Sequence, residues 1–344
     1  MTRTRIGVLF GGRSEEHPVS IKSAREVAAA LDPDRYEPFW IGITRAGGWL
    51  LCAGPDELEA GGGRPVLLAP DPTVGGVQLL DGDRETVPLD VVFPVLHGRF
   101  GEDGTVQGLL ELSGIPYLGC GVAASSLAMD KGLSYAVAAA AGVATPEFRR
   151  VEPGETVDPA SLGYPVFVKP ARSGSSFGVT RVDAPEQLAD AVESAREFDT
   201  VVLVEQAVVG SEIGCAVLGD ETGLTLGELD RVALTSGFFR IHQEASPETG
   251  SENSTFIVPA DISEASKLLV QVTAQTVYRA LGCRGLARVD LFLRPDGTVV
   301  LNEVNTLPGL TSYSRYPRMM AAAGLSLAEV IDRLVDLALP GVAR

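Results

Sequence analysis

Residues 285–305 constrain the fold more than any other stretch. They read Gly285-Leu286-Ala287-Arg288-Val289-Asp290-Leu291-Phe292-Leu293, then Arg294-Pro295-Asp296-Gly297, then Thr298-Val299-Val300-Leu301-Asn302-Glu303-Val304-Asn305. Two apolar runs of period two flank Pro-Asp-Gly, which predicts a β-hairpin. A two-residue turn at Asp296-Gly297 puts Asp290 opposite Glu303, and a four-residue loop puts it opposite Leu301. In either register Asp290, Glu303 and Asn305 share one face, because side chains alternate along a strand. Three oxygen ligands on one rigid face suit Mg²⁺, which keeps room for phosphate oxygens. Arg288 lies on the same face, and a cation among carboxylates suggests a partner anion that appears during chemistry. The bland alternative is the solvated face of an edge hairpin. Asn302, Glu303 and Asn305 interrupting a core-like strand count against it, since burying polar groups is costly.

Charge narrows the ligand classes. The chain has 344 residues, 28 basic and 45 acidic, for a net charge of −17. That argues against a nucleic-acid or anionic-membrane surface, so any anionic ligand must meet a local cluster of cations and N–H groups. Cys52, Cys120, Cys215 and Cys283 are scattered and form no C-x-x-C, so neither a disulfide framework nor a zinc site is expected. Ile6 to Phe10 is too short for a signal-peptide core, and Ala136 to Ala144 is too short to span a bilayer. A reducing, cytoplasmic setting is the expectation.

Residues 4–12 predict a buried strand and glycine turn, followed by a helical pattern from Ile21 to Leu31. Such an opening belongs to a doubly wound, Rossmann-like α/β domain, whose ligands bind at strand C-termini. G-x-G-x-x-G is absent, so dinucleotide binding has little support. Glu15 and Glu16 stand at the helix entrance, where capping and the binding of a substrate ammonium are equally good readings. Val91 to Leu96 is a second buried strand, and His97 follows it in a glycine-rich loop at the edge of the expected site. Residues 45–87 are rich in Gly and Pro and say little. A continuous helix is expected from Ser126 to Ala141. Lys169 ends a strand and leads into Ser173-Gly174-Ser175-Ser176, small residues that let N–H groups approach a phosphate. This is not the P-loop pattern, and a plain linker is the bland alternative. Glu205, Gln206, Ala207 and Val208 end a strand whose edge can meet an adenine, with Glu212 placed for ribose hydroxyls. Residues 235–253 are long, polar and bounded by glycine, yet carry Phe238, Phe239, Ile241 and His242, which favours a lid.

Taken together these motifs resemble the ATP-grasp ligases, and among them the D-alanine–D-X ligases of cell-wall precursor synthesis. The matching residues are Gly11-Gly12, Glu16, Val19-Ser20, His97-Gly98, Gly101-Glu102-Asp103-Gly104, Met129-Asp130-Lys131, Val168-Lys169-Pro170, Gly174-Ser175-Ser176, Arg288-Val289-Asp290 and Asn302 to Thr306 with Pro308-Gly309. Ser14-Glu15-Glu16-His17, Ile21 to Ala24, Phe239 to Glu244 and Thr311 to Arg318 resemble the VanA-type D-alanine–D-lactate ligases more closely still.

That resemblance implies an α/β, multidomain ATP-grasp fold: a Rossmann-like substrate domain at 1–123, a central ATP-grasp subdomain at 124–210, and a C-terminal one at 211–344 carrying the metal site and the lid at 235–253. It implies ATP and two Mg²⁺ ions, with Mn²⁺ a possible substitute, held by Asp290, Glu303 and Asn305. Lys131, Lys169, Ser175, Ser176 and Asn302 would serve the phosphates and metal side, Glu205 to Val208 the adenine, and Glu212 the ribose. Glu16 and His97 would meet the first D-alanine, Tyr313 and Ser314 the second substrate, and Arg288 with the Gly309 N–H the tetrahedral oxyanion. A homodimer is expected from the family alone.

In the D-alanine–D-alanine ligases the lid carries a tyrosine that interacts with Ser175 and Glu16. No tyrosine lies between Thr235 and Asn253, and His242 stands in that part of the lid. An imidazolium attracts the carboxylate of either second substrate and repels only the ammonium of D-alanine. The expectation is therefore D-lactate as acceptor, with dipeptide formation growing as His242 deprotonates. Lys22 is expected to help hold the lid. The competing readings are a plain D-alanine–D-alanine ligase and a nucleotide-binding regulator without chemistry.

Overall fold

Strand β1 (Thr4–Gly11) sends Ile6, Val8 and Phe10 into one apolar core and Leu9 into another. Burial on both sides is what a strand between two helical layers requires. It pairs in parallel with β2 (Tyr36–Ile43) and, on its other edge, with β7 (Val91–Val95). Between β2 and β7 the chain adds β3 (Trp49–Cys52), α2 (Pro55–Glu59), β4 (Arg64–Leu68), β5 (Gly76–Leu79) and β6 (Thr86–Pro88). The sheet order is β6-β5-β4-β3-β2-β1-β7, antiparallel from β2 outward. Helix α1 (His17–Ala30) packs Ile21, Ala24 and Val27 on one face. Helix α3 (Thr105–Ser113) packs Val106 and Leu110 on the other.

The structure, a computed structural model, describes residues 3–82, 85–155, 162–174, 176–237 and 253–339. Ser175, Phe238, Phe239, Ile241 and His242 lie outside the described residues.

The single helix expected from Ser126 to Ala141 is two. Helix α4 (Val122–Met129) stops at Asp130, whose backbone is extended, and α5 (Lys131–Ala140) starts after it. The Asp130 carboxylate accepts the Leu133 N–H at 3.2 Å and so caps α5. It also takes the Arg150 guanidinium at 2.9 Å, which fixes the corner. A four-stranded antiparallel sheet follows, β10-β9-β11-β8, from β8 (Phe148–Val151), β9 (Val166–Pro170), β10 (Thr180–Val182) and β11 (Val202–Gln206). Helix α6 (Leu188–Arg196) covers it through Ala191, Val192 and Ala195.

The third sheet runs β15-β14-β12-β16-β17, with β13 on β12. Its strands are β12 (Ser211–Asp220), β13 (Gly223–Leu226), β14 (Asp230–Leu234), β15 (Ser254–Ile257), β16 (Gly285–Leu293) and β17 (Val299–Asn305). Helix α7 (Glu264–Ala280) packs Val270, Ala274 and Val277 against its odd-numbered face, with Ile213 and Val289. On the even-numbered face, Ala216, Leu218 and Leu286 share a core with α8 (Arg315–Ala322), α9 (Leu327–Ala338) and the Ile6-Val8-Phe10 side of β1. That shared core brings the C-terminal ends of β1 and β7 beside the hairpin. The backbones come close at Gly285, where a Cβ would come 2.8 Å from the Gly119 Cα and φ is +69°. Among the described residues no helix is long and apolar enough to cross a membrane.

Candidate active site

The hairpin forms, with a turn neither two nor four residues long. Leu293 and Val299 close it, and residues 294–298 make the turn. The Gly297 N–H donates to the Arg294 carbonyl at 3.0 Å, with Gly297 at φ +87°, and the Asp296 carboxylate accepts the Thr298 N–H at 2.9 Å. In that register Asp290 would face Asn302. A bulge between Asp290 and Leu291 lets Asn302 drop out, and Asp290 faces Glu303. The Asn302 carbonyl oxygen lies 2.9 Å from the buried Tyr135 hydroxyl, so the bulge leaves no orphan there. Arg288 faces Asn305 two residues away.

Asp290 is 1% exposed. It accepts Arg288 Nε and Nη2 at 2.9 and 2.7 Å and Asn305 Nδ2 at 3.1 Å. Glu303 lies 3.2 Å from Lys131 Nζ. Burial would raise the Glu303 pKa, but Lys131, Arg288 and Lys169 override it and hold the carboxylate at about 2. Two carboxylates and an amide on adjacent strands are a hard-oxygen donor set, of the kind that holds a divalent cation with phosphate. Among the described residues no three His, Cys, Asp or Glu side chains converge as a metal site; beside the two carboxylates the face offers the Asn305 amide.

A cleft of about 510 Å³ opens over this face, between the second and third sheets and the glycine turns of the first. Lys169 Nζ meets Glu205 Oε1 at 2.6 Å, both nearly buried, and the Tyr135 hydroxyl lies 3.1 Å from the other Glu205 oxygen. Adjacency of β9 and β11 creates this pair. Lys131 Nζ donates to the Ser173 carbonyl at 2.7 Å, tying α5 to the glycine-serine loop. Ser176 has φ +59°, a left-handed backbone unusual for a serine. Val208 and Glu212 line the cleft; Gln206 and Ala207 do not. The Ala207 N–H donates to the Pro165 carbonyl at 3.2 Å.

Glu16 is the residue before α1 and faces the cleft. A Cβ on Gly98, whose φ is +68°, would come 2.6 Å from Glu16 Oε2. His97 is buried, with Nδ1 2.9 Å from the Leu307 carbonyl and Nε2 3.1 Å from Ser23 Oγ. Glu102 Oε1 lies 3.7 Å from its Nδ1. Burial pushes Glu102 up to about 7 against the pull of His97. Burial also opposes the His97 charge, but Glu102 outweighs it and the imidazole is raised. Glu102 appears in the family-like motif, yet its burial and contact with His97 emerge only from the fold. Lys22 sits on α1, half-buried, and is not part of the cleft lining.

Beyond the hairpin, Gly309, Tyr313 and Ser314 line the opposite wall. Ser314 precedes α8, and its hydroxyl meets Thr311 Oγ1 at 2.6 Å. A Cβ on Gly309 would come 2.8 Å from Ser314 Oγ. Sequence reasoning missed the next residue. Arg315 is 4% exposed and grips Asp230 through Nε and Nη2, both at 2.8 Å, and Glu212 through Nη1 at 2.6 Å. The signal was available: an arginine opens a helix, where the dipole disfavours positive charge.

Residues 5–120 match the family description "D-ala D-ala ligase N-terminus" and residues 137–336 match "D-ala D-ala ligase C-terminus". A putative D-alanine–D-lactate ligase of Streptomyces coelicolor is 64% identical over 100% of both chains. The vancomycin/teicoplanin A-type resistance protein VanA of Enterococcus faecium is 54% identical, over 99% of this chain and 100% of that protein. Among solved structures, the VanG D-Ala:D-Ser ligase of Enterococcus faecalis superposes with a TM-score of 0.88 at 39% identity, over 98% of this chain and 100% of the other.

Proposed function

The chain belongs to the D-alanine–D-alanine ligase family, which has the ATP-grasp fold, and on that premise we propose that it joins D-alanine to D-lactate with ATP. The product is the D-alanyl-D-lactate depsipeptide of peptidoglycan precursors that resist glycopeptides. The observation that carries the acceptor is the end-to-end similarity to a D-alanine–D-lactate ligase. A lid with His242 and no tyrosine between Thr235 and Asn253 agrees with it. A D-alanine–D-alanine ligase is the alternative.

In this reading the first D-alanine's ammonium meets Glu16, with His97 beside it. Its carboxylate attacks the γ-phosphorus of ATP, ADP leaves, and a D-alanyl phosphate forms. The D-lactate hydroxyl then attacks the acyl carbon, loses its proton and expels phosphate. Lys131 and Lys169 bind phosphate oxygens, and Ser176 with Ser175 covers them. Glu205 to Val208 takes the adenine and Glu212 the ribose. Arg288 and the Gly309 N–H stabilise the oxyanion, with preorganised donors worth several kcal/mol in such sites, on the order of 3. Arg288 is already aimed and charged by its contact with Asp290, so it costs no reorganisation at that moment. Tyr313 and Ser314 orient the acceptor. Asp290, Glu303 and Asn305 are the residues that would hold Mg²⁺, two ions with Mn²⁺ able to substitute, and such ions neutralise phosphate charge; Asn302 would serve the nucleotide. Four free, buried cysteines fit a reducing cytoplasm. The homodimer expected of the family would show in sedimentation.

Mass analysis of products from ATP, D-alanine and D-lactate supplied together tests the reading. Depsipeptide as the main product at neutral pH is expected; dipeptide alone would overturn the acceptor assignment, and no ADP release would overturn the ligase.

A further inference from the structure

We infer that Arg315 is a positioning residue that ties the nucleotide side of the cleft to the wall where the second substrate is expected; the inference rests on the ligase reading above. Arg315 follows Tyr313 and Ser314 directly and is the first residue of α8. Its guanidinium spans three carboxylates on three strands. Asp230 on β14 takes Nε and Nη2 at 2.8 Å, Glu212 on β12 takes Nη1 at 2.6 Å, and Asp290 on β16 lies 3.5 Å from Nη2. Asp230 is fully buried and also accepts the Gly214 N–H at 3.0 Å.

Nothing local calls for this arrangement. A cation at a helix N-terminus opposes the helix dipole. Buried ion pairs repay their desolvation poorly compared with apolar packing, and Tyr316, Met319 and Met320 of α8 do enter an apolar core. Space is nevertheless cleared for the group: a Cβ on Gly214 would come 2.4 Å from Asp230 Oδ1 and 2.5 Å from Arg315 Nη2. A planar fork is the side chain that holds two carboxylates at fixed angles at once. Asp230 is the anchor. Glu212 is the adjustable partner, because its side chain is 21% exposed and one of its oxygens is taken by Arg315. Glu212 therefore cannot change its hold on a ribose without changing the load on Arg315. Arg315 in turn cannot shift without moving Ser314 and Tyr313, its immediate neighbours in the chain. A merely structural role, pinning α8 to the sheet, predicts changed stability and nothing else.

The test uses the full-length protein with ATP, Mg²⁺, D-alanine and D-lactate. Glu212→Gln keeps the shape and removes one charge from the fork on the nucleotide side only. At saturating ATP and D-alanine the KM for D-lactate should rise about threefold or more, by loss of a transmitted contact. Arg315→Lys replaces the fork by a point charge, so both the nucleotide Kd, read by calorimetry, and the D-lactate KM should rise about tenfold. The KM for D-alanine as first substrate should stay within about twofold in both variants. A D-lactate KM unchanged in Glu212→Gln while the nucleotide Kd rises would overturn the proposal, whether or not Arg315→Lys folds. A wild-type protein that binds no ATP, or releases no ADP with D-alanine, would instead overturn the ligase reading.

Discussion

Replacing Glu102 with glutamine should flatten the way stability near His97 responds to pH. In the folded chain Glu102 holds its proton up to about 7, from an ordinary value of 4.5. Over that window the folded state binds more protons than the unfolded one, so stability falls as pH rises. A shift of that size corresponds to about 3 kcal/mol lost between pH 4.5 and 7. His97 acts in the same direction. Its pKa is raised, so its contribution is complete below 6.5 and lost as pH climbs through the folded value. Because the two groups share one interaction, about 2–3 kcal/mol is the sum to expect rather than two separate terms. In Glu102→Gln the carboxyl window disappears. His97 keeps its burial but loses the carboxylate that raises it most, so its pKa falls and its share of the loss shrinks. Denaturant unfolding of both proteins at pH 5, 6, 7 and 8, without substrates, gives the difference directly. The variant should gain about 2–3 kcal/mol on the wild type from pH 5 to pH 8. A difference that stays constant over that range would refute the reasoning, because it would mean that Glu102 is ionised in the folded protein throughout.

Lys169→Met leaves Glu205 buried beside Tyr135 without its cation, and should cost about 3–5 kcal/mol in urea unfolding while abolishing nucleotide binding by calorimetry. Gly98→Ala pushes a Cβ toward Glu16 Oε2 at 2.6 Å, so the KM for D-alanine as first substrate should rise sharply and the nucleotide Kd should hold. Gly285→Ala combines φ +69° with a 2.8 Å approach to Gly119, and a lowered melting temperature, worth about 2–3 kcal/mol, is expected. His242→Ala should flatten the ratio of depsipeptide to dipeptide measured from acid to alkaline pH; a ratio that still tracks pH would remove His242 from the choice of acceptor.

Much of the site was legible because strand alternation is a strong rule. Asp290, Glu303, Asn305 and Arg288 share a face in either even-length turn, and the bulge keeps them together with the odd one; a buried strand running into Gly11-Gly12 has few other uses. Where local chemistry competes with pattern, sequence reading failed. The apolar periodicity from Ser126 to Ala141 hides a break, because Asp130 gains more as a cap and an Arg150 partner than as a helical residue. The turn at 294–298 takes its length from an Asp296 side-chain bond that composition does not reveal. Charges that meet across long separations were invisible for a different reason. Arg315 and Asp230 are 85 residues apart, and Lys169 and Glu205 pair only because β9 lies beside β11. Nothing in a one-dimensional pattern reports such a neighbour.

The extra residue at Asn302 carries a lesson about permissible change. Strand β16 keeps an unbroken ladder with β12 from Ser211–Leu293 to Gly219–Gly285, so the irregularity is borne by β17 alone. The turn is odd in length, and the bulge restores the parity. Turn and bulge therefore form a matched pair: removing one residue from 294–298 must be answered by losing the bulge, or Glu303 swings to the opposite face. A one-residue deletion in this solvent-exposed turn should therefore be tolerated without a second change, because Asn302 can rejoin the ladder and leave Glu303 opposite Asp290.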